Sequence, residues 1–140
     1  MFDQLIKNVM EQKNFLTAPP ETTVTEAAKL MAGKNVGAVM VVENDRLVGI
    51  FTERDATFRV IARGLDAAST RLVDVMTADP KTLEPHKTYG HALLLMQENG
   101  FRHVPVMQDG KLIGIISSRN AMDPDLEEFI SEERRREHHR

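Results

Sequence analysis

Residues 49–55, GIFTERD, return downstream as residues 114–120, GIISSRN. Both stretches hold a glycine, apolar residues and a hydroxyl, followed three positions after the hydroxyl by a carboxylate or an amide. The match extends outward without a gap, so that residues 15–55 align with residues 80–120. Identical pairs include Thr17/Thr82, Leu30/Leu95, Met31/Met96, Val39/Val104 and Arg54/Arg119. This duplication predicts two similar modules that face each other, with a ligand cleft between them.

Composition restricts the classes of protein that the chain can belong to. Its 140 residues are 41% hydrophobic and 28% charged, which is typical of one globular domain. A net charge of −3 gives no electrostatic case for nucleic acid or for an anionic membrane. There is no cysteine, which excludes disulfides and thiolate metal sites. The start lacks a signal-peptide pattern and no apolar stretch reaches about 20 residues, so we expect a cytoplasmic protein.

The first repeat reads as strand, helix, strand, strand and helix. Residues 23–26, TVTE, have the form of a capping box and predict a helix that ends near Gly33. Its inward residues are predicted to be Ala27, Ala28, Leu30 and Met31. Residues 39–42 and 47–51 predict two antiparallel strands. A further helix from Thr52 to Gly64 carries Phe58, Ile61, Ala62 and Leu65.

The second repeat predicts the same order of elements. A helix is expected from Thr88 to Gly100, and strands 103–107 and 111–117 are joined at Asp109-Gly110, a strong hairpin signal. One unit is too small to stand alone, so the two should pack sheet against sheet. The predicted fold is α/β, of the α+β type, with two pseudo-symmetric repeats, two three-stranded sheets packed face to face, and terminal helices. The predicted segments are an N-terminal lead-in (1–14), two repeats (15–70 and 71–122) and a charged C-terminal helix (123–140).

The C-terminal segment is charged and predicts a helix that begins with Asp123-Pro124. Acidic residues precede basic ones, which suits the helix dipole. A solvated terminal helix is the simpler interpretation, and an arm that docks a partner protein is the alternative.

The repeated motif places a hydroxyl at the end of a strand and a carboxylate, Asp55, in the first turn of the next helix. Free backbone N–H groups at a helix start suit phosphate, and a carboxylate can accept hydrogen bonds from two ribose hydroxyls. Arg54 adds a forked donor for phosphate oxygens. The alternative is plain helix capping, with Thr52 as the cap and Asp55 satisfying free amides.

From about Val9 to Asn120 the chain resembles the tandem cystathionine-β-synthase (CBS) domain pair, the Bateman module, in a stand-alone form. The resemblance rests on the two repeated motifs, on residues 75–77 (VMT) with Pro80, and on residues 101–106 (FRHVPV). It implies a fold in which the cleft between the repeats binds adenosine nucleotides or related adenosyl compounds. Each site combines the motif turn of one repeat with residues of the other.

Two nucleotide sites follow from the resemblance. The stronger site is implied at Thr52, Arg54, Asp55, Thr82, Arg102, His103 and Val104, with Asp55 on the ribose and the cations on phosphate. The weaker site is implied at Thr17, Gly37, Ala38, Val39, Ser117, Arg119 and Asn120. It has an amide in place of the carboxylate, and Gly37-Ala38 where the stronger site has Arg102-His103. One good site and one weak or empty site are therefore expected in each chain.

The function implied is regulatory: a sensor of an adenosine-containing ligand that acts on another protein, without a cofactor, a metal or catalysis. AMP, ADP and ATP are the expected ligands, with NAD(H) and S-adenosylmethionine also open, and the family tendency favours a homodimer. The alternative is a ligand-free dimerisation or protein-interaction module. The five histidines show no metal-ligand spacing, and no residue pattern marks an activated nucleophile, which argues against an enzyme.

Overall fold

The computed structural model of the protein describes residues 2–119 and 124–138. Its helices are α1 (Ile6–Val9), α2 (Val24–Lys34), α3 (Glu53–Asp55), α4 (Leu72–Val75), α5 (Tyr89–Asn99) and α6 (Pro124–His138). Its strands are β1 (Leu16–Ala18), β2 (Ala38–Glu43), β3 (Arg46–Thr52), β4 (Thr77–Ala78), β5 (His103–Gln108) and β6 (Lys111–Ser117). A π-helical segment, Ala56–Ile61, continues α3. The predicted order of strand, helix, strand, strand and helix is confirmed for the first repeat.

The strands form two sheets of unequal size within the described residues. The first has the order β1-β2-β3-β4, with β1 parallel to β2 and the other pairs antiparallel. The second is the antiparallel pair β5-β6, flanked by a single parallel bridge from Leu83 to Val106. The prediction of two three-stranded sheets is therefore wrong. The short β4 joins the edge of the first sheet, and the chain near Leu83 makes too few ladder contacts to form a strand.

Each repeat is completed by a segment that precedes the other repeat in sequence. Leu72 and Val75 of α4 are buried in the core of the first repeat, together with Val39, Val41 and Phe51. Ile6 of α1 is buried in the core of the second repeat, together with Tyr89 and Val104. The packed units are thus offset from the repeats of the sequence, which ties the two halves together.

The two sheets pack against each other through a small apolar layer. Ala38, Met40 and Ile50 of the first sheet form one buried cluster with Ile115 of the second. Phe15, Leu47 and Leu112 surround this cluster. The predicted face-to-face packing is confirmed, and the clefts described below open at the edges of this layer.

Helix α2 begins with the predicted capping box. The amide of Glu26 donates to Thr23 Oγ1 at 3.2 Å, and the amide of Thr23 donates to Glu26 Oε2 at 3.2 Å. The helix ends at Lys34, and a left-handed Asn35 caps it, rather than Gly33. The prediction that Ala28 and Leu30 face inward is wrong, because α2 presents only Val24, Ala27 and Met31 to the sheet.

The helical stretch after β3 exposes most of its large apolar side chains. Phe58 is 56% exposed, Ile61 73% and Leu65 43%, while Val60 faces the core. Hydrogen bonds of the π type, such as Ala62 N to Thr57 O at 2.9 Å, replace the α-helical pattern and change which side chains face the sheet. With Leu30 of α2, these residues leave apolar surface on the helical side of the first repeat.

The C-terminal helix begins at Pro124, as predicted. Arg136 pairs with Glu133 at 3.2 Å, and Phe129 is 58% exposed. The solvated helix and the partner-docking arm both stay predictions, because this exposure in a single chain is expected under either. Asp123 and Asn120, on which two of the sequence predictions fall, lie outside the described residues.

Candidate functional site

The turn after β3 is a reciprocal capping arrangement. The backbone amide of Asp55 donates to Thr52 Oγ1 at 3.3 Å, which caps α3. In return, Asp55 Oδ2 accepts from the Thr52 amide at 2.8 Å and from the Thr52 hydroxyl at 3.2 Å. The helix-capping role that the sequence left open is therefore present. It holds the Asp55 side chain at 12% exposure, and Oδ1, the second carboxylate oxygen, takes no part in the cap.

Arg59 holds that second oxygen and also reaches the segment between the repeats. Its Nε lies 3.5 Å from Asp55 Oδ1. Its Nη1 donates to the carbonyls of Val75 at 3.2 Å and Met76 at 3.0 Å. Sequence reasoning did not predict this residue. Its position one helical turn after Asp55 is the signal that could have found it.

A cleft of about 390 Å³ lies where the two repeats meet. It contains four of the seven residues predicted for the stronger site, namely Thr52, Arg54, Asp55 and His103. The other lining residues are Ile50, Arg59, Thr77, Asp79, Pro80, Lys81, Asn99, Gly100 and Phe101. Thr82 is exposed and Val104 is fully buried, and neither lines this cleft.

The predicted Arg102 lines an adjoining cleft of about 440 Å³. The two clefts share five residues, which form the rim between them: Thr52, Arg54, Gly100, Phe101 and His103. The Arg54 guanidinium lies 4.8 Å from the centre of the Phe58 ring, which steadies its planar fork at the rim. The two arginines of the predicted site therefore line neighbouring clefts: Arg54 lies at the rim that both clefts share, and Arg102 lines the adjoining cleft.

Three cleft residues that the sequence did not suggest come from the segment after β4. Asp79 adopts a left-handed conformation, with φ of 47°, and its amide donates to the Val48 carbonyl at 3.1 Å. This turn carries Pro80 and Lys81 into the cleft. The Asp-Pro dipeptide signals a turn, but its place beside Asp55 depends on the pairing of β4 with β3.

His103 is the side chain common to the first cleft, the adjoining cleft and the second cleft described next. Burial lowers its pKa from the ordinary value of 6.5, and the nearby charges of Arg119 and Arg102 lower it further, while Glu53 opposes them. The imidazole is therefore neutral at pH 7. In that form one ring nitrogen donates and the other accepts a hydrogen bond.

A second cleft, of about 290 Å³, corresponds to the predicted weaker site. It brings together Gly37, Ala38, Ser117 and Arg119 of that prediction. Thr17 is exposed and Val39 is buried, and both lie outside the lining, while Asn120 is outside the described residues. Its lining also includes Glu11, whose carboxylate accepts from the Asn14 amide at 2.6 Å.

Within residues 2–119 and 124–138, no three metal-ligating side chains gather into a candidate metal site. The same residues contain no helix with the length and apolar character needed to cross a membrane.

The geometry defines a class of protein: two copies of one α/β unit that enclose a cleft lined by both copies. The sequence profile of the CBS domain matches residues 6–61 and 72–124. The chain is 37% identical over 123 residues to the mitochondrial CBS domain-containing protein CBSX3 of Arabidopsis thaliana, covering 80% of this chain and 60% of that protein. The chain belongs to the CBS domain family. It spans less than two thirds of the length of several curated relatives that it matches.

Solved structures share the fold over nearly the whole chain. A conserved protein from Pyrococcus horikoshii has a TM-score of 0.77 and 30% identity, with 88% of this chain and 98% of that chain covered. A CBS domain protein from Pyrobaculum aerophilum, complexed with AMP, has a TM-score of 0.77 and 22% identity, with coverage of 91% and 98%. At 22% identity, the similarity to the Pyrobaculum aerophilum protein shows a shared fold and nothing about a shared ligand.

Proposed function

We propose that the chain is a regulatory module that binds an adenosine nucleotide in the first cleft and signals its presence to a partner protein. The observation that carries the proposal is the meeting of Thr52, Arg54 and Asp55 of one repeat with His103 of the other in a single cleft. Its volume of about 390 Å³ is in the range of small-molecule sites. A ligand that touches both repeats can change the angle between them.

Each part of a nucleotide has a matching group in this cleft. Asp55 offers a carboxylate to the ribose hydroxyls. Thr52, Arg54 and His103, at the rim, offer donors to phosphate, and Arg102 offers a further charge in the adjoining cleft. The apolar side chains of Ile50, Pro80 and Phe101 supply a slot for the adenine ring.

The charge of the lining favours a ligand that bears phosphate. Arg54, Arg59 and Lys81 outnumber the carboxylates of Asp55 and Asp79 by one positive charge, with His103 neutral. A phosphate anion complements this balance, whereas the cationic sulfonium of S-adenosylmethionine does not. We therefore expect AMP, ADP or ATP, with NAD(H) next and S-adenosylmethionine last.

The second cleft is proposed to bind nucleotide weakly or not at all. Gly37 and Ala38 bring no polar side chain to it. Glu11 adds a negative charge that would repel phosphate beside Arg119. We expect one nucleotide in each chain.

A second copy of the chain is the proposed cover for the apolar helical surface of the first repeat. Leu30, Phe58, Ile61 and Leu65 are each at least 43% exposed in the single chain. Burying such side chains against a symmetric copy stabilises a homodimer by about 25 cal/mol for each Å² removed from water.

A ligand-free interaction module is the second candidate, and a specific observation favours it. The Asp55 carboxylate already has hydrogen-bond partners in Thr52 and an ion-pair partner in Arg59, so its role in the helix cap needs no ligand. Under this alternative the exposed helical surface is the functional one, and catalysis is expected under neither.

Thermal unfolding in the presence of AMP, ADP, ATP, NAD, NADH and S-adenosylmethionine tests the proposal. A ligand at a hundred times its dissociation constant stabilises the folded state by about 2.7 kcal/mol, which raises the unfolding temperature by several degrees. A rise with a phosphate-bearing ligand supports the nucleotide module. An unchanged temperature with all six ligands would favour the interaction module.

A further inference from the structure

Asp55 keeps one oxygen of its carboxylate for a ligand. Its Oδ2 takes both bonds of the helix cap, from the Thr52 amide at 2.8 Å and from the Thr52 hydroxyl at 3.2 Å. Its Oδ1 accepts no hydrogen bond within the part of the chain that the structure describes, and its neighbour there is Arg59 Nε, in an ion pair at 3.5 Å. Each oxygen of an ionised carboxylate offers about two acceptor positions, so Oδ1 can accept from the hydroxyls of a ribose.

The guanidinium beside that oxygen has donors that the protein does not use. A guanidinium carries N–H groups on Nε, Nη1 and Nη2 in a fixed planar fork. Arg59 Nη1 donates to the carbonyls of Val75 at 3.2 Å and Met76 at 3.0 Å, and Nε faces Asp55. Among the described residues, Nη2 has no hydrogen-bond or ion-pair partner. Its two N–H groups are therefore available to a ligand.

Asp55 and Arg59 offer opposite hydrogen-bonding groups at one place in the first cleft, which both residues line. A hydroxyl group donates one hydrogen bond and accepts others, so an acceptor and a donor side by side satisfy it fully. Nη2 is bonded to the same carbon as Nε, which is the nitrogen that faces Asp55 Oδ1. A ribose hydroxyl that donates to Oδ1 therefore has an arginine donor beside it for its own oxygen.

Contacts that involve no ligand already hold Arg59 in this position. The two carbonyls and the Asp55 carboxylate fix the guanidinium from two directions. Its side chain is nevertheless 39% exposed, which leaves it accessible from the cleft that it lines. Because the side chain is ordered before binding, a ligand loses little affinity to the entropy of ordering it.

We propose that Arg59 is a second ribose-binding residue of the first cleft: Asp55 Oδ1 accepts hydrogen bonds from the ribose hydroxyls, and Arg59 Nη2 donates to a hydroxyl oxygen. The proposal rests on the proposed nucleotide site and adds to it a residue that selects a ribose over a sugar without these hydroxyls. Arg59 keeps its contacts with Asp55 and with the two carbonyls when the nucleotide binds.

Calorimetric titration of the full chain with AMP and with dideoxy-AMP, the analogue that lacks both ribose hydroxyls, tests the proposal. The wild type should bind AMP more tightly than dideoxy-AMP. Arg59→Met removes every donor at a similar side-chain length and should weaken AMP binding about three- to tenfold, less than for a fully buried charged donor because the side chain is 39% exposed. The affinity for dideoxy-AMP should stay unchanged, because this analogue has no hydroxyl for Arg59 to bind.

Two further variants serve as controls. Arg63→Met is the matched control, since Arg63 is an exposed arginine that lines neither nucleotide cleft, and it should bind both ligands as the wild type does. Arg59→Lys keeps a charged donor without the planar fork and should keep part of the preference for AMP over dideoxy-AMP. If Arg59→Met does not fold, Arg59→Lys gives the same comparison with a smaller expected difference.

The comparison of the two ligands separates this role from a structural one. If Arg59→Met weakens both ligands by the same factor, Arg59 only shapes the cleft or binds the phosphate, and the proposal is overturned while the nucleotide site stands. Unchanged AMP affinity in Arg59→Met would also overturn it. A wild type that binds AMP and dideoxy-AMP equally would overturn the ribose contacts of Asp55 and Arg59 together. A wild type that binds neither would overturn the proposed function itself.

Discussion

Replacing Asp55 by alanine should lower the stability of the protein even with no nucleotide present. The change removes two hydrogen bonds from Thr52 and the contact with Arg59, all at a side chain that is only 12% exposed. Glu26→Ala is the matched control, because Glu26 holds the corresponding position of the capping box of α2, away from both nucleotide clefts. Both changes introduce the same residue at the third position of a helix.

The magnitude follows from the partners that each carboxylate has. Glu26 is exposed and accepts one bond, from the Thr23 amide at 3.2 Å, so its loss should cost at most about 1 kcal/mol. Asp55 accepts two bonds with an ionised oxygen in a part-buried position, for which about 1.5–3 kcal/mol in total is expected. The half-exposed Arg59 contact adds less than about 1 kcal/mol.

Urea unfolding followed by far-ultraviolet circular dichroism measures the difference. We expect Asp55→Ala to lower the free energy of unfolding by at least about 1 kcal/mol more than Glu26→Ala, with the same denaturant dependence in both variants. Equal losses would show that the burial and charge-assisted bonds of Asp55 add nothing to the stability of the cap. A more stable Asp55→Ala protein would show instead that the carboxylate is held at a cost in stability, as happens at some functional sites.

Three further predictions follow from the geometry. His103 has a lowered pKa in the folded state, so the unfolded chain binds more protons and the stability of the protein should fall as the pH drops below 6.5. In urea titrations from pH 7.5 to 5, the free energy of unfolding of His103→Gln should fall less than that of the wild type. Parallel curves for the two proteins would contradict this prediction. Gly114→Ala places a Cβ 2.6 Å from the backbone carbonyl of Glu11 and should lower the free energy of unfolding by about 1–3 kcal/mol. Gly49→Ala meets only a flexible methionine side chain and should lower it less. If thermal unfolding shows Gly49→Ala to be the less stable variant, the packing described here is wrong. Ile61→Asp, at a side chain 73% exposed, should shift sedimentation from dimer to monomer, and a wild type that sediments as a monomer would refute the proposed dimer.

The sequence predicted those features that depend on local patterns or on the duplication. Thr23, Thr52 and Thr88 were expected at helix starts, and each side chain accepts from a backbone amide there. The hairpin was predicted at Asp109-Gly110 because both residue types tolerate a positive φ, and both residues adopt one in the structure. The motif turn and its meeting with His103 followed from the repeat and from the family resemblance.

Other features could not be predicted because they depend on contacts between distant segments. Thr77–Ala78 becomes a strand only by pairing with β3, and this pairing brings Asp79 and Lys81 beside Asp55. The π-helical turn changed which side of its helix faces the core, so the apolar pattern alone did not show that Phe58 is exposed. Thr82, which the family resemblance implied for the stronger site, is exposed and falls outside the cleft lining.

Calorimetric titration of AMP into the wild type, Asp55→Ala and Glu26→Ala tests directly whether the first cleft binds a nucleotide through Asp55. We expect the wild type to bind about one AMP per chain and Glu26→Ala to bind it with unchanged affinity. In Asp55→Ala the affinity should be at least about tenfold weaker, which corresponds to the loss of about 1.4 kcal/mol or more expected for charge-assisted bonds to the ribose. Equal affinity in all three proteins would contradict the site. If none of the three proteins gives a heat of binding with AMP, and the other nucleotides give none either, the proposal that the chain binds a nucleotide is wrong.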